Sequence, residues 1–368
     1  MKRFEYADEF ISEREIMVVV PSIVIGVGIL SYPKYLASVT EGADGWISIL
    51  IGGIIAIAMT WTVAKMASSF PNEPFLSYAS RIVTKPVAVV LTFVFVIFSL
   101  QIATFQIRQI ADISKQYIFS HTPVEVIALT FLLIVIYAVS GSRVGLFRLN
   151  MMFLPIILFI SLMVILFSLN RMEWDHLFPV FETNFTGHMK GVGSAASSYA
   201  GFGILWFYIA LVKRPKKIPK KAALGMCIPV VLYMVIFIVN IGVFGDEVTR
   251  NLIFPTVELA KGVEIPGEFF ERFESVFFTI WIMAIFNTTT LAIDVAVFAL
   301  TSIFKNTSKH KIIFILSPLV YLTAMYPQNI IEVSTYGVYV GYAVIAYTGF
   351  LVVLLWGVGK LRGVKPID

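Results

Sequence analysis

Two long apolar segments of this 368-residue chain are each interrupted near the middle by a pair of glycines. The first reads GVGIL at residues 26–30, and the second reads GFGIL at residues 201–205. A glycine inside a helix costs about 1 kcal/mol of stability, so two such pairs need a structural reason. Glycines at i and i+2 lie on different helix faces, which favours an unwound segment with close backbone approach over a packing stripe. Matching breaks in two halves of a membrane chain predict inverted repeats with a binding site at the breaks.

The composition places the chain in a lipid bilayer. Hydrophobic residues make up 58% of the chain, charged residues make up 14%, and the mean hydropathy is +0.86. Apolar runs of about 20 residues, the length that crosses a bilayer core as a helix, recur along the chain. They predict an all-α integral membrane protein, a single domain over residues 1–368, with ten transmembrane helices at about 14–38, 45–68, 86–111, 123–140, 145–169, 188–212, 219–245, 270–303, 310–325 and 329–359.

The distribution of basic residues predicts the orientation. Most of the 28 lysines and arginines fall on one side of the ten spans. Because cytoplasmic loops are enriched in Lys and Arg, this bias predicts a cytoplasmic amino terminus. The first and sixth spans then cross the membrane in opposite directions, as inverted repeats require. The two repeats of five spans are predicted at about residues 14–169 and 188–359.

The chemistry of a broken helix suggests the kind of ligand. Backbone groups freed by unwinding in hydrocarbon must be buried in protein, line a wet cavity or meet a ligand. The amino terminus of a half-helix attracts a carboxylate, and freed carbonyls attract a cation or an ammonium group, so a zwitterionic amino acid matches both. Neutral donors and acceptors lie near the two breaks, at Ser22, Ser31, Tyr32, Ser194, Ser197, Ser198 and Tyr199.

Polar residues also concentrate in spans 3 and 8. Gln101 and Thr104 lie on one stripe of span 3, and Asn287, Thr290 and Asp294 form a similar stripe in span 8. Asp294 is the carboxylate that we place deep in a span. Two interpretations of it remain open. One is a proton or cation role, and the other is a structural role, in which it pairs with a basic residue near the cytoplasmic face or hydrogen-bonds a backbone amide.

Several classes of chemistry are not indicated by the sequence. It contains no P-loop, no GxSxG and no HExxH motif. The single cysteine, Cys227, excludes an internal disulfide and a cysteine-based metal site, and the four histidines lack metal-ligand spacing. We therefore expect a protein that is not an enzyme and that uses no cofactor and no metal.

Three motifs together carry a family resemblance. The stretch GVGILSYPK at residues 26–34, followed by DGW at 44–46 and FPN at 70–72, resembles the B subunits of bacterial spore germinant receptors, also called endospore germination permeases. The resemblance in length and span pattern covers the whole chain. That family belongs to the amino acid, polyamine and organocation transporter superfamily. The resemblance therefore implies a leucine-transporter-like fold of 5+5 inverted repeats in which helices 1 and 6 are broken.

The same resemblance implies a setting and partners. The protein is expected in the inner membrane of a dormant endospore, where it recognises a small nutrient germinant, often an amino acid. It is expected beside an A subunit and a lipoprotein C subunit of the germinant receptor, and no nucleic acid is expected as a partner.

The resemblance also implies where the ligand binds, namely between the two breaks and the middles of spans 3 and 8. The implied ligand-binding residues are Gly26, Val27, Gly28, Ile29, Gln101, Thr104, Ser198, Tyr199, Gly201, Phe202, Gly203, Asn287 and Thr290. In sodium-coupled relatives, hydroxyl residues of span 8 and carbonyls of span 1 form a cation site. The candidate cation or proton site is accordingly formed by Thr288, Thr289 and Asp294.

Three functions compete at this point. The leading one is a nutrient-sensing subunit of a germination receptor, which binds an amino-acid-like ligand at the broken helices and triggers germination. The first alternative is an ion-coupled amino acid symporter. The second alternative is a water- or ion-conducting subunit, or a scaffold, that binds no ligand.

Overall fold

The computed structural model describes residues 11–213, 215–263 and 273–363. These residues form α-helices joined by 3₁₀ turns and loops, and within them the only β pairing is a single bridge between Ile11 and Val212. In chain order the helices are α1 (Glu13–Val24), α2 (Gly28–Ala37), α3 (Gly45–Ser68), α4 (Phe75–Ile82), α5 (Lys85–Tyr117), α6 (Val124–Ser140), α7 (Arg143–Ser168), α8 (Phe185–Ser198), α9 (Leu205–Tyr208), α10 (Ile218–Asn251), α11 (Pro255–Lys261), α12 (Phe273–Ile303), α13 (Lys309–Ala324) and α14 (Ile330–Leu361).

Helices lie at all ten predicted spans, and two short helices that were not predicted, α4 and α11, lie in connections between spans. Among the described residues, 6 helices are long and apolar enough to cross a membrane, and the number is 8 when each of two bent pairs counts as one span. The two remaining predicted spans correspond to α6, an apolar helix of 17 residues, and to α13, a helix of 16 residues, and both are shorter than the other candidate spans. The predicted start of the eighth span, at residues 270–272, lies outside the described residues. The chain is a multi-pass membrane protein.

Local signals in the sequence explain where helices near the breaks begin. At α1, the N–H of Glu15 donates to Ser12 Oγ and the N–H of Ser12 donates to the Glu15 carboxylate, which is a capping box. The side chains of Ser142 and Asn184 accept from backbone N–H groups at the starts of α7 and α8. Pro86 lies in the first turn of α5, where its missing N–H costs nothing.

Both predicted breaks are present. α1 and α2 meet at an angle of 55°, and α8 meets the segment 202–211, which contains α9, at 45°. The second break approaches α1 closely at Gly201, which has a φ of +124°. A Cβ built on Gly201 would lie 2.9 Å from Ile23 Cγ1 in α1, so a larger residue would not fit there. α10 and α12 pack against α1, and α12 also packs against α5. Spans 1 and 6 are therefore broken at the centre of the bundle, as the sequence predicts.

Candidate functional site

At the first break, side chains from neighbouring helices replace the lost helical hydrogen bonds. The N–H of Val27 donates to Gln106 Oε1 of α5 at 3.0 Å, and Trp281 Nε1 of α12 donates to the Gly26 carbonyl at 3.2 Å. A Cβ on Gly26 would overlap the Gln106 amide and lie 2.9 Å from Thr288 Oγ1. Only glycine allows this approach, and the freed backbone groups are satisfied by protein.

Thr288 of α12 lies against the carboxyl end of α1. Its Oγ1 is 3.0 Å from the Ser22 carbonyl oxygen, 3.4 Å from that of Ile25 and 3.4 Å from that of Ala284 in its own helix. One hydroxyl and three carbonyl oxygens converge here, and hard cations prefer ligands of this type. The predicted pairing of a span 8 hydroxyl with span 1 carbonyls is thus present for Thr288.

The other predicted hydroxyls of α12 do not reach α1. Thr289 Oγ1 donates to the Ile285 carbonyl at 2.7 Å, and Thr290 Oγ1 donates to the Phe286 carbonyl at 2.8 Å. Both bonds lie within the helix, which is a frequent arrangement for threonine. Asn287 is 1% exposed, and neither polar atom of its amide has a hydrogen-bond partner among the described residues. A buried amide without partners is energetically costly.

A cavity of about 100 Å³ lies between the two breaks, α5 and the amino-terminal half of α14. Gly28 lines it, and a Cβ on Gly28 would meet only Tyr233 Oη, at 3.8 Å, so this glycine faces space rather than backbone. We expected close approach at both glycines of the first pair, and only Gly26 shows it. The polar lining is neutral and consists of Ser31, Tyr35, Gln106, Ser194, Ser197, Ser198 and Ser334.

The second break contributes to the cavity and to a smaller void beside it. Ser198, the last residue of α8, lines the cavity. Gly201 and Gly203 line the void, whose volume of about 10 Å³ suits about one water molecule. Tyr199 and Phe202 are buried, and the Tyr199 ring lies 5.5 Å from that of Tyr233 in α10. The second break therefore brings small residues to the cavity and the void, and aromatic rings to the core.

Three of the predicted residues point elsewhere. The Gln101 side chain accepts a hydrogen bond from the Tyr336 hydroxyl of α14, and Thr104 Oγ1 donates to its own helix at the Leu100 carbonyl, 2.7 Å away. Ile29 is fully buried, and its carbonyl accepts from Thr256 Oγ1 at 2.9 Å. None of the three lines the cavity between the breaks, and of the thirteen predicted ligand-binding residues only Gly28 and Ser198 line it.

Asp294 is fully buried and is the centre of an ionic cluster. Its Oδ2 lies 2.7 Å from Arg143 Nε and accepts from the Tyr208 hydroxyl at 2.9 Å, and its Oδ1 lies 3.7 Å from Lys309 Nζ. The Arg143 guanidinium also lies over the Phe298 ring at 4.1 Å. The geometry favours the structural interpretation of Asp294, because its charge is compensated and the cluster ties α7, α9, α12 and α13 together.

Sequence reasoning missed the residues that hold the first break. Gln106, Trp281 and Tyr233 come from three different helices, and Tyr233 Oη donates to the Val24 carbonyl at 3.0 Å. Gln106 could have been considered from the sequence, because it is a polar residue of span 3, but it lies on another face of the helix from Gln101. Within the described ranges, no group of three or more His, Cys, Asp and Glu residues is placed to hold a metal ion.

Sequence relatives cover nearly the whole chain. A family model described as "Spore germination protein" matches residues 10–333. Spore germination protein GerLB of Bacillus cereus is 38% identical, over 99% of this chain and 98% of its own length. Spore germination protein YndE of Bacillus subtilis (strain 168) is 29% identical, over 96% of this chain and 97% of its own length.

Two solved structures share the architecture. MhsT in complex with L-phenylalanine superposes with a TM-score of 0.72 at 15% identity, covering 93% of this chain and 89% of MhsT. Mhp1, a nucleobase-cation-symport-1 family transporter in a closed conformation with bromovinylhydantoin bound, gives a TM-score of 0.70 at 12% identity, covering 97% of this chain and 80% of Mhp1. At these identities the two structures show the fold alone, and they confirm the predicted leucine-transporter-like architecture.

Proposed function

The chain belongs to the family of spore germination proteins, and from that membership we propose that it is the nutrient-sensing membrane subunit of a germination receptor. Its ligand is a small amino-acid-like molecule that binds between the two broken helices and triggers germination. The observation that carries the proposal is the neutral, hydroxyl-lined cavity of about 100 Å³ between the breaks. A zwitterion needs paired donors and acceptors rather than a buried countercharge, and this lining offers them. We assign the protein no enzymatic reaction.

The ligand carboxylate accepts a hydrogen bond from the N–H of Val27, at the amino end of α2. This N–H now donates to Gln106 Oε1, and Gln106 also lines the cavity. The amino end of a helix carries partial positive charge, so a carboxylate binds there more strongly than a neutral amide. The ligand therefore displaces Gln106, and the movement of this side chain on α5 starts the response. A ligand can shift the conformation only by such differential contacts.

Within a spore, the protein lies in the inner membrane beside an A subunit and a lipoprotein C subunit, with its amino terminus in the cytoplasm. Family membership supports the setting, and the basic bias of one set of loops supports the orientation. The proposed output of ligand binding passes to these partner subunits.

The test is release of dipicolinic acid from spores that lack this gene, measured against a panel of amino acids, sugars and nucleosides with and without sodium or potassium. We expect loss of the response to one nutrient class, restored by the intact gene and not by Gly28→Leu, which fills the cavity. Gly357→Leu is the matched control, because a Cβ on Gly357 meets nothing within 4 Å. Unchanged germination to every nutrient would contradict the proposal.

An ion-coupled symporter is the second candidate, favoured by the oxygen set around Thr288 Oγ1 and the carbonyls of Ser22 and Ile25. The fold is shared with Mhp1, a nucleobase-cation-symport-1 family transporter. Uptake of labelled amino acids into proteoliposomes under a sodium gradient distinguishes a symporter from a receptor subunit. Accumulation that depends on the gradient would favour the symporter, and binding without uptake would favour the receptor.

A further inference from the structure

A second cleft of the described molecule is separate from the cavity between the breaks. It has a volume of about 740 Å³ and lies between α4, the start of α5 and the connection from α12 to α13. We call it the lysine cleft, and the residues of its lining that matter here are Leu76, Ser77, Lys85, Val89, Phe304 and Lys305. None of its lining residues lines the cavity between the breaks. The positive-inside bias predicts that this end of the bundle is cytoplasmic.

The lysine cleft is positively charged. Lys85 is the first residue of α5 and Lys305 follows the end of α12, so both lie where helices leave the hydrocarbon. In the part of the chain that the structure describes, neither lysine forms an ion pair, and the lining contains no Asp or Glu. Ser77, Asn306 and Thr307 add neutral polar side chains to the same lining. These are the groups that bind a phosphate oxygen.

An apolar stripe continues from the lysines into the membrane. Lys85, Val89 and Phe93 follow one another at intervals of four residues along one face of α5. Phe93 is 37% exposed, and its ring meets that of Phe304, which is 47% exposed, at 5.9 Å. The surface thus changes from cationic to apolar over about two helical turns, which matches an amphiphile that lies along the helix with its charged end outward.

We propose that the lysine cleft binds an anionic glycerophospholipid of the cytoplasmic leaflet. Its phosphate lies between Lys85 and Lys305, and an acyl chain follows Val89 and Phe93. Basic pockets between membrane helices on the cytoplasmic side recognise anionic headgroups in this way. A free phosphate could bind the lysines but would make no contact with the apolar stripe. We therefore assign the site to a lipid rather than to a free phosphate. The proposal requires a membrane protein and is independent of the ligand at the breaks.

The lipid site is connected to the second break through α4. Leu76 and Ser77 of α4 line the lysine cleft, while Tyr78 Oη of the same helix donates to the Trp206 carbonyl at 3.1 Å. The rings of Phe75 and Phe207 also pack at 4.9 Å. Because Trp206 and Phe207 belong to the inner half of the broken span, a lipid that holds α4 also stabilises that half. Lipid composition is therefore expected to change the stability of the protein.

The experiment is native mass spectrometry of the full-length protein, purified in detergent and titrated with phosphatidylglycerol or with phosphatidylcholine. We expect one phosphatidylglycerol to be retained, and about 25-fold weaker retention in the double variant Lys85→Gln/Lys305→Gln, since each lysine near an anionic headgroup contributes a factor of about five. Lys216→Gln/Lys217→Gln is the matched control, because it removes the same charge from exposed lysines at the same end of the bundle.

The results distinguish a specific lipid site from diffuse headgroup attraction and from a free-anion site. Loss of phosphatidylglycerol in the cleft variant alone, with an unchanged unfolding temperature in lipid-free detergent, supports the site. Equal loss in both variants would mean diffuse headgroup attraction and would overturn it. Competition by millimolar inorganic phosphate, with equal binding of both lipids, would identify a free-anion site and would also overturn it.

Discussion

Replacing Gln106 by methionine keeps the length of the side chain and removes the carbonyl that accepts from the Val27 N–H. The buried N–H at the amino end of α2 is then unpaired, which costs about 1–3 kcal/mol. A ligand carboxylate meets a free donor instead of displacing an amide. We therefore expect the ligand concentration for half-maximal response to fall by a factor of about 5 to 150. Release without ligand should rise as well, because the resting state loses the same stabilisation.

The assay is the initial rate of dipicolinic acid release over a series of concentrations of the nutrient that the panel identifies. Thr92→Val is the matched control, because it lies on the same helix, its hydroxyl donates to the Ala88 carbonyl of that helix, and it does not line the cavity. An unchanged half-maximal concentration in Gln106→Met would show that the Val27 N–H does not receive the carboxylate. A higher concentration would show that Gln106 binds the ligand directly, and the displacement model would be refuted.

Three other predictions test neighbouring parts of the molecule. Gly26→Ala should destabilise the protein by about 1–3 kcal/mol in thermal unfolding, because the new Cβ would lie 2.9 Å from Thr288 Oγ1. Gly28→Ala should leave the stability unchanged, and equal stability of the two variants would contradict the geometry. Thr288→Val should abolish any sodium-dependent rise in unfolding temperature, and a retained rise would remove Thr288 from the cation site. Asp294→Asn should cost about 3 kcal/mol in chemical unfolding because it leaves Arg143 uncompensated, and a variant as stable as the parent would refute the ionic role.

The spans and both breaks could be predicted from the sequence because each depends on local composition. A run of about 20 apolar residues has few alternatives to a membrane helix. The glycine pairs at 26 and 28 and at 201 and 203 indicated unwinding, because two glycines at i and i+2 lie on different helix faces and recur in matching positions of the two halves. The segments of α6 and α13 could be predicted although they are short, because turn residues lie at both ends of each segment.

The partners of the freed backbone groups could not be predicted, because they depend on packing between distant helices. Gln106 and Trp281 meet the first break only after α5 and α12 pack on α1. The choice between Gln101 and Gln106 depends on the rotation of one helix, to which hydropathy is insensitive. The role of Asp294 stayed open for the same reason, since Arg143 reaches it from the start of another span.

Direct binding to the purified full-length protein tests the central claim, that the cavity between the breaks holds a small amino-acid-like ligand. Equilibrium binding of the labelled nutrient is measured in lipid nanodiscs for the parent, Gly28→Leu and Gly357→Leu. We predict saturable binding by the parent and by Gly357→Leu, and none by Gly28→Leu, whose side chain enters the cavity that Gly28 lines. Unchanged binding by a folded Gly28→Leu protein would contradict the account and locate the ligand elsewhere.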